Sequence, residues 1–126
     1  MLAIIVTEGL KDPDSLQKIP GKEIKRYTLP LNNGTVEIVE LAVAEADVNE
    51  ACLQLSAAML PERYYGQVQD DNLMYVIFPN SIAVVRRDDR ESEETAQRIG
   101  SLFSIPISQM SFLEMFSNAH PDVDNV

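Results

Sequence analysis

Three arginines and three tyrosines are the candidate ligand-binding residues of this chain. A guanidinium holds carboxylates and phosphates through paired hydrogen bonds, and a tyrosine joins an apolar ring to a hydroxyl. Tyr64 and Tyr65 stand directly before Gly66, which can place a hydroxyl at the mouth of a pocket. These residues support the hypothesis that a pocket between the sheet and the helices binds an anionic metabolite. Its candidate residues are Arg86, Arg87, Arg90, Tyr64, Tyr65 and Tyr75.

Acidic residues argue against an anion at the arginine cluster. Glu91, Glu93 and Glu94 follow the arginines directly, at the start of a helix-like segment. Their carboxylates already interact favourably with the helix dipole and would repel an anion there. Local ion pairing between these acids and the arginines explains the cluster without any ligand.

Residues for covalent or metal chemistry are scarce. Cys52 falls on the apolar face of a predicted helix, which indicates a buried structural thiol. His120 stands beside Pro121 near the end of the sequence, and we expect an exposed tail residue. One cysteine and one histidine on unrelated elements do not make a zinc site. We therefore expect no catalytic residue, no metal and no cofactor.

Two other chemistry-bearing patterns fit structural roles better. Asp70 and Asp71 precede Asn72, but they lack the spacing of a calcium loop and are typical of a turn. Gly21 and Lys22 lack the remaining residues of a phosphate-binding loop.

The first half of the chain predicts three strands and a helix. The strands cover Leu2–Glu8, Glu23–Leu31 and Thr35–Val43, and Asn32-Asn33-Gly34 between the last two is a strong hairpin signal. A helical turn is expected near residues 14–18. The helix covers Val48–Leu60, with Asp47 and Glu50 as a capping pair. Its buried face is predicted to hold Val48, Ala51, Cys52, Leu55 and Met59.

An apolar hairpin is the most distinctive element of the second half. Its strands are Leu73–Phe78 and Ile82–Val85, with a turn at Pro79-Asn80-Ser81 and a short strand, Tyr64–Gln69, before it. Both faces of the first strand are apolar. This pattern predicts a central position in the sheet or one half of a subunit interface.

Two further helices are predicted after the hairpin. Ser92 is expected to cap a helix that reaches Ser104, and Ser111 with Glu114 has the spacing of a second capping box. Residues 120–126 have the composition of a frayed acidic tail.

The element order β-ββ-α-(β)ββ-α-α predicts one α+β domain over residues 1–119. We expect an antiparallel sheet of five to six strands, with two to three helices packed on one of its faces. The pattern shows no βαβ crossover, so a Rossmann-type crevice is not expected.

Composition narrows the partners and the compartment. The chain has 126 residues, a net charge of −10 and one cysteine. The negative charge opposes nucleic-acid binding, and no apolar run is long enough for a membrane span. One cysteine cannot form an intrachain disulfide. A cytoplasmic protein is therefore expected.

Self-association is the first functional hypothesis. An apolar hairpin that needs cover on both faces, and a C-terminal segment rich in Met and Phe, would suit a non-catalytic homodimer that acts through protein contacts. The anion-binding pocket, as a binder or an enzyme, is the alternative. A DNA-mimic role would need duplex-like rows of acids, and the sequence shows none.

Overall fold

The structure, a computed structural model, describes residues 1–31 and 34–122. Within these residues the chain forms six strands and two α-helices. The strands are β1 (Leu2–Val6), β2 (Lys22–Leu31), β3 (Gly34–Ala42), β4 (Gly66–Gln69), β5 (Leu73–Phe78) and β6 (Ser81–Arg86). The helices are α1 (Val48–Ala58) and α2 (Arg90–Ser101), and 3₁₀ turns include Pro13–Lys18, Ile107–Gln109 and Glu114–Phe116.

The strands form one antiparallel sheet in the order β2-β3-β1-β4-β5-β6. This confirms the α+β class and the predicted number of strands. The pairing of Leu31 with Gly34 confirms the first hairpin. Asn32 and Asn33, on which its predicted turn conformation depends, lie outside the described residues.

One crossover connection departs from the prediction. Both β3 and β4 pair antiparallel with β1, which lies between them, so β3 and β4 run parallel to each other. The chain joins them through α1, which makes a split β-α-β unit. Sequence reasoning did not identify this crossover, because local patterns reveal strands but not which strand is inserted between two others.

The helix α1 covers one face of the sheet, called the α1 face. Gly66 lets the helix approach closely, because a Cβ on this glycine would lie 2.8 Å from a methyl carbon of Leu55. The predicted buried side of α1 is confirmed. The buried core here consists of Ala3, Ile5, Leu10, Ile19, Val39, Leu41, Val43, Val48, Ala51, Cys52, Leu55, Met59, Val68 and Ile77.

The helix α2 and the segment after it cover the opposite face, called the α2 face. Phe78 and Phe103 stack there with ring centroids 5.5 Å apart. The prediction that the helices share one face was therefore wrong, because alternate side chains of β5 enter two separate cores. The second core consists of Met74, Val76, Phe78, Ala83, Val85, Ala96, Ile105, Met110, Phe112 and Met115.

The hairpin of β5 and β6 lies at the edge of the sheet rather than at its centre, where β1 is flanked by β3 and β4. Elements of the same chain cover both of its faces. Covering this hairpin therefore does not require a second subunit.

The caps of both helices differ from the predicted ones. The Asp47 side chain makes no capping hydrogen bond, and Glu50 instead accepts from Gln54 Nε2 at 2.9 Å. At α2 the cap is Asp89, whose Oδ1 accepts from the backbone N–H of Ser92 at 3.2 Å. Asp89 stands three residues before Ser92 and can reach that amide, so the helix starts earlier than predicted.

The predicted helix at Ser111 is only a 3₁₀ turn, Glu114–Phe116. Ser111 Oγ donates to Asp122 at 2.7 Å instead of capping a helix. The Leu113 N–H donates to Glu93 on α2 at 2.8 Å. The Ser111 N–H also donates to Asp122, at 2.8 Å. Side chains from outside the segment thus satisfy the backbone N–H groups of Ser111 and Leu113, and so short a segment gains little from helix formation.

Within residues 1–31 and 34–122, no helix has the length and apolar character needed to cross a membrane.

Candidate functional site

A pocket of about 150 Å³ lies on the α2 face of the sheet. Its floor is apolar because alternate residues of β1, β2 and β3 point to this face. The floor consists of Ile4, Val6, Leu29, Leu31, Val36 and Ile38. One wall is the loop at residues 63–65, and the other is the segment at residues 119–122.

His120 lines this pocket and is held by a hydrogen-bond network from the sheet. Its Nε2 lies 2.6 Å from Tyr27 Oη on β2. Tyr27 Oη donates to Glu40 Oε2 on β3, also at 2.6 Å. The rings of Tyr27 and His120 meet edge to face, with centroids 5.7 Å apart. The expectation that His120 is an exposed tail residue was therefore wrong.

The network fixes the proton on the imidazole. A carboxylate only accepts hydrogen bonds, so the single proton of the Tyr27 hydroxyl points to Glu40. His120 Nε2 must then be the donor to Tyr27, which leaves the lone pair of a neutral ring on Nδ1. Within the described residues, Nδ1 has no hydrogen-bond partner.

Burial sets the electrostatics of these two rings. It lowers the pKa of His120 below its ordinary 6.5; Glu40 opposes this shift, and Lys25 adds to it. Burial, followed by the nearby Glu40 carboxylate, raises the pKa of Tyr27. The imidazole is therefore neutral near pH 7, with its lone pair available.

Asp122 anchors the C-terminal wall of the pocket. Its two carboxylate oxygens accept from the backbone N–H and the hydroxyl of Ser111, at 2.8 Å and 2.7 Å. Asp122 is buried, with 7% of its surface exposed. It therefore fixes the chain directly after His120 and leaves a negative charge in the pocket wall.

Arg63 is the cation of the pocket lining. Its backbone has φ of 79°, a left-handed conformation that non-glycine residues rarely adopt. The Arg63 N–H donates to Phe103 O at 2.8 Å, which holds the loop in place. Its side chain is 76% exposed, with Nε 3.9 Å from a carboxylate oxygen of Glu62. This positive charge is thus solvated and partly neutralised.

Two of the predicted site residues, Tyr64 and Tyr65, do line the pocket. Tyr65 Oη donates to the backbone oxygen of Gln109 at 2.6 Å, and its ring packs against Phe112 with centroids 5.3 Å apart. Burial, and then the charge of Asp122, raises the pKa of Tyr65. Its hydroxyl therefore positions the wall and stays protonated.

The other four predicted residues lie elsewhere. Tyr75 packs into the core of the α1 face. Arg86 ends β6 and is exposed, while Arg87 Nη1 donates to Asp71 O at 2.8 Å and its guanidinium lies over the ring of Phe116. Arg90 pairs with Glu94 at 3.4 Å. The structure therefore separates the arginine cluster from the tyrosine pair.

Comparison with known proteins gives no further guidance. No protein-family model, no curated protein and no solved structure matches the chain.

The structural interpretations of Cys52 and Asp70 are confirmed. Cys52 is 4% exposed in the core of the α1 face, and burial raises its pKa to about 11. Asp70 Oδ1 accepts from the backbone N–H groups of Asn72 and Leu73, which lowers the pKa of its carboxyl. In the described part of the chain, no three His, Cys, Asp or Glu side chains are grouped to hold a metal ion.

Sequence reasoning missed the polar residues that surround the pocket. Arg63 directly precedes Tyr64, and His120 is the one histidine of the chain, so both residues carried a signal in the sequence. Tyr27 and Glu40 gave no local signal, because each stands within a strand-like run and their relation to His120 depends on the sheet.

Proposed function

We propose that this protein binds a small, largely apolar organic molecule in the pocket on the α2 face. The proposal depends mainly on one observation: an apolar floor of strand side chains lies beside a histidine held by Tyr27 and Glu40. Sites for small molecules combine an apolar lining with a few fixed polar groups in this way.

The volume of the pocket limits the part of a ligand that can be buried in it. A cavity of about 150 Å³ is large enough for one six-membered ring. With about seven non-hydrogen atoms, such a ligand gains at most about 10 kcal/mol on binding. Affinities between micromolar and millimolar are expected, so titration followed by NMR is the suitable measurement.

The lining favours binding over covalent catalysis. The described lining residues include no cysteine, serine or lysine that could attack a substrate. Cys52 lies on the α1 face, on the far side of the sheet. The anionic ligand expected from the sequence depended on Arg86, Arg87 and Arg90, which are not part of this pocket.

A homodimer and a cytoplasmic location remain predictions. The buried free thiol of Cys52 is compatible with a reducing compartment. Because both faces of the β5–β6 hairpin are covered within the chain, a dimer would have to form through another surface.

Filling the pocket tests the proposed function. Ala119 lines the pocket and is half-buried, so Ala119→Leu should occupy ligand space without disturbing either core. Toluene titrated into the ¹⁵N-labelled protein should shift the amide signals of Val6, Ile38 and His120. The variant should weaken toluene binding by about tenfold or more.

The matched control is Ala57→Leu, on the exposed side of α1 and on the opposite face of the sheet. It adds the same volume away from the proposed pocket and should leave the titration unchanged. Equal weakening by both substitutions, or shifts that map outside the pocket, would contradict the proposed function.

A further inference from the structure

We infer that the head group of the ligand is a neutral hydrogen-bond donor, such as the hydroxyl of a small phenol, and that His120 Nδ1 accepts its hydrogen bond. This inference rests on the proposed function, because it concerns the same pocket. It adds the chemical class of the ligand and the residue that selects it.

The position of the imidazole proton favours a ligand that donates a hydrogen bond. Glu40 accepts from Tyr27, and Tyr27 accepts from His120 Nε2. Both hydrogen-bond donors of this network, His120 Nε2–H and the Tyr27 hydroxyl, are directed toward the sheet. The imidazole ring therefore offers an acceptor, Nδ1, on its other side. A hydroxyl or N–H ligand satisfies that lone pair, whereas a carboxylate offers only further lone pairs.

The charges around the pocket disfavour an anionic ligand. Glu40 supports the network from β3, and Asp122 contributes a buried carboxylate to the wall. Lys25 lies over the Tyr27 ring, 4.9 Å from its centroid, outside the pocket lining. Arg63 is exposed and faces Glu62. A charged carboxylate would therefore lose its hydration without gaining a desolvated cationic partner.

The apolar floor of the pocket suits an aromatic ring. Six aliphatic side chains from three adjacent strands form the floor. In an antiparallel sheet, side chains of adjacent strands on the same face lie next to each other and form a continuous apolar surface, which the face of one ring can cover. A phenol therefore combines a ring that covers this floor with a hydroxyl that reaches the lone pair of His120.

A series of three ligands tests the head group. 4-Methylphenol, toluene and benzoate share a benzene ring. 4-Methylphenol carries a hydrogen-bond donor, toluene has no polar group, and benzoate is an anion. With the wild-type protein near pH 7, the phenol should bind about tenfold more tightly than toluene, and benzoate most weakly. These affinities are measured by titration followed by ¹H–¹⁵N correlation spectra.

The informative variant is His120→Gln. The glutamine amide can still donate to Tyr27 but has no acceptor at the position of Nδ1. Toluene should therefore bind as before, while the tenfold preference for the phenol falls to about twofold or less. Retained toluene binding shows that the pocket is intact, which separates this effect from misfolding.

A second measurement reports the proton directly. His120 is the only histidine of the chain, so long-range ¹H–¹⁵N spectra of its ring are unambiguous. They should show a protonated Nε2 and a bare Nδ1. Glu40→Gln gives Tyr27 a partner that can also donate, so the ring should populate both tautomers. Glu50→Gln, on the exposed surface of α1, is the matched control and should change nothing.

The outcomes are distinct. Toluene binding without a preference for the phenol would overturn this inference and leave the proposed function standing. Benzoate as the tightest ligand, or a protonated Nδ1 in the wild-type protein, would also overturn it. Failure of all three ligands to bind would overturn both proposals. The expected order, together with its loss in His120→Gln, supports them.

Discussion

His120 is the residue whose role in the structure differs most from the role expected from the sequence. Its hydrogen-bond partner Tyr27 lies 93 positions earlier in the chain. Nothing local marks a histidine before a proline as half-buried and bonded to a strand. By contrast, the burial of Cys52 and the turn at Asp70 were predicted correctly. The helical period around Cys52 and the turn motif around Asp70 each lie within a few residues.

The lowered pKa of His120 makes stability depend on pH. The unfolded chain gains a proton near the ordinary value of 6.5, whereas the folded ring stays neutral until a lower pH. Over that interval the unfolded state binds more protons, so the free energy of unfolding should fall as the pH is lowered from about 7 to about 5. Urea midpoints measured along this series check the prediction.

His120→Gln is the comparison for this pH dependence, since glutamine keeps the bond to Tyr27 and does not titrate. The variant should lose the slope just below pH 6.5. Other groups act elsewhere: the pKa values of Glu23 and Asp70 are lowered from 4.5 and 3.8, so their contributions are lost at more acidic pH. Parallel pH profiles for the variant and the wild type would contradict the assignment.

At the scale of elements, α1 is joined to the β5–β6 hairpin by one buried hydroxyl. Ser56 Oγ donates to Phe78 O at 2.7 Å and accepts from the Ser81 N–H at 3.0 Å. These bonds span the turn at Pro79 and Asn80, and Ser56 is 5% exposed. The helix therefore fixes the end of the hairpin through hydrogen bonds as well as through packing.

Ser56→Ala should lower the free energy of unfolding by about 2 kcal/mol, because it removes the hydroxyl that pairs with the buried carbonyl of Phe78 and the partly buried N–H of Ser81. The control is Ser101→Ala, whose hydroxyl donates to Arg98 O on the exposed side of α2. Its expected cost is below about 0.5 kcal/mol. Urea denaturation followed by circular dichroism measures both, and equal losses would contradict the proposed role of Ser56.

The elements themselves were largely predictable, and their arrangement was not. The β-branched runs and the Asn-Gly pair identified the strands, since those signals are local. The face that α2 covers and the edge position of β6 both depend on the order of the strands, which is not a local property of the sequence. The same limit explains the pocket: its floor comes from three strands that are adjacent only after β1 is inserted between β3 and β4.

For the whole molecule, the sheet is shared by two apolar cores. Leu55 belongs to the α1 face and Phe112 to the α2 face, and both are fully buried. The strand β5 contributes Ile77 to one core and Phe78 to the other. Loosening either core therefore releases a strand that the other core needs, so we expect the chain to unfold as one cooperative unit.

Leu55→Ala and Phe112→Ala test this cooperativity from opposite faces. Each should lower the free energy of unfolding by about 3 to 4 kcal/mol through the cavity that it leaves. In a urea titration followed by NMR, the native amide signals of Ala51 on α1 and Ala96 on α2 should disappear at one midpoint. Both substitutions should move that midpoint for both signals. If Leu55→Ala shifted only the Ala51 signal, the faces would be separate folding units, and the pocket on the α2 face would not depend on α1.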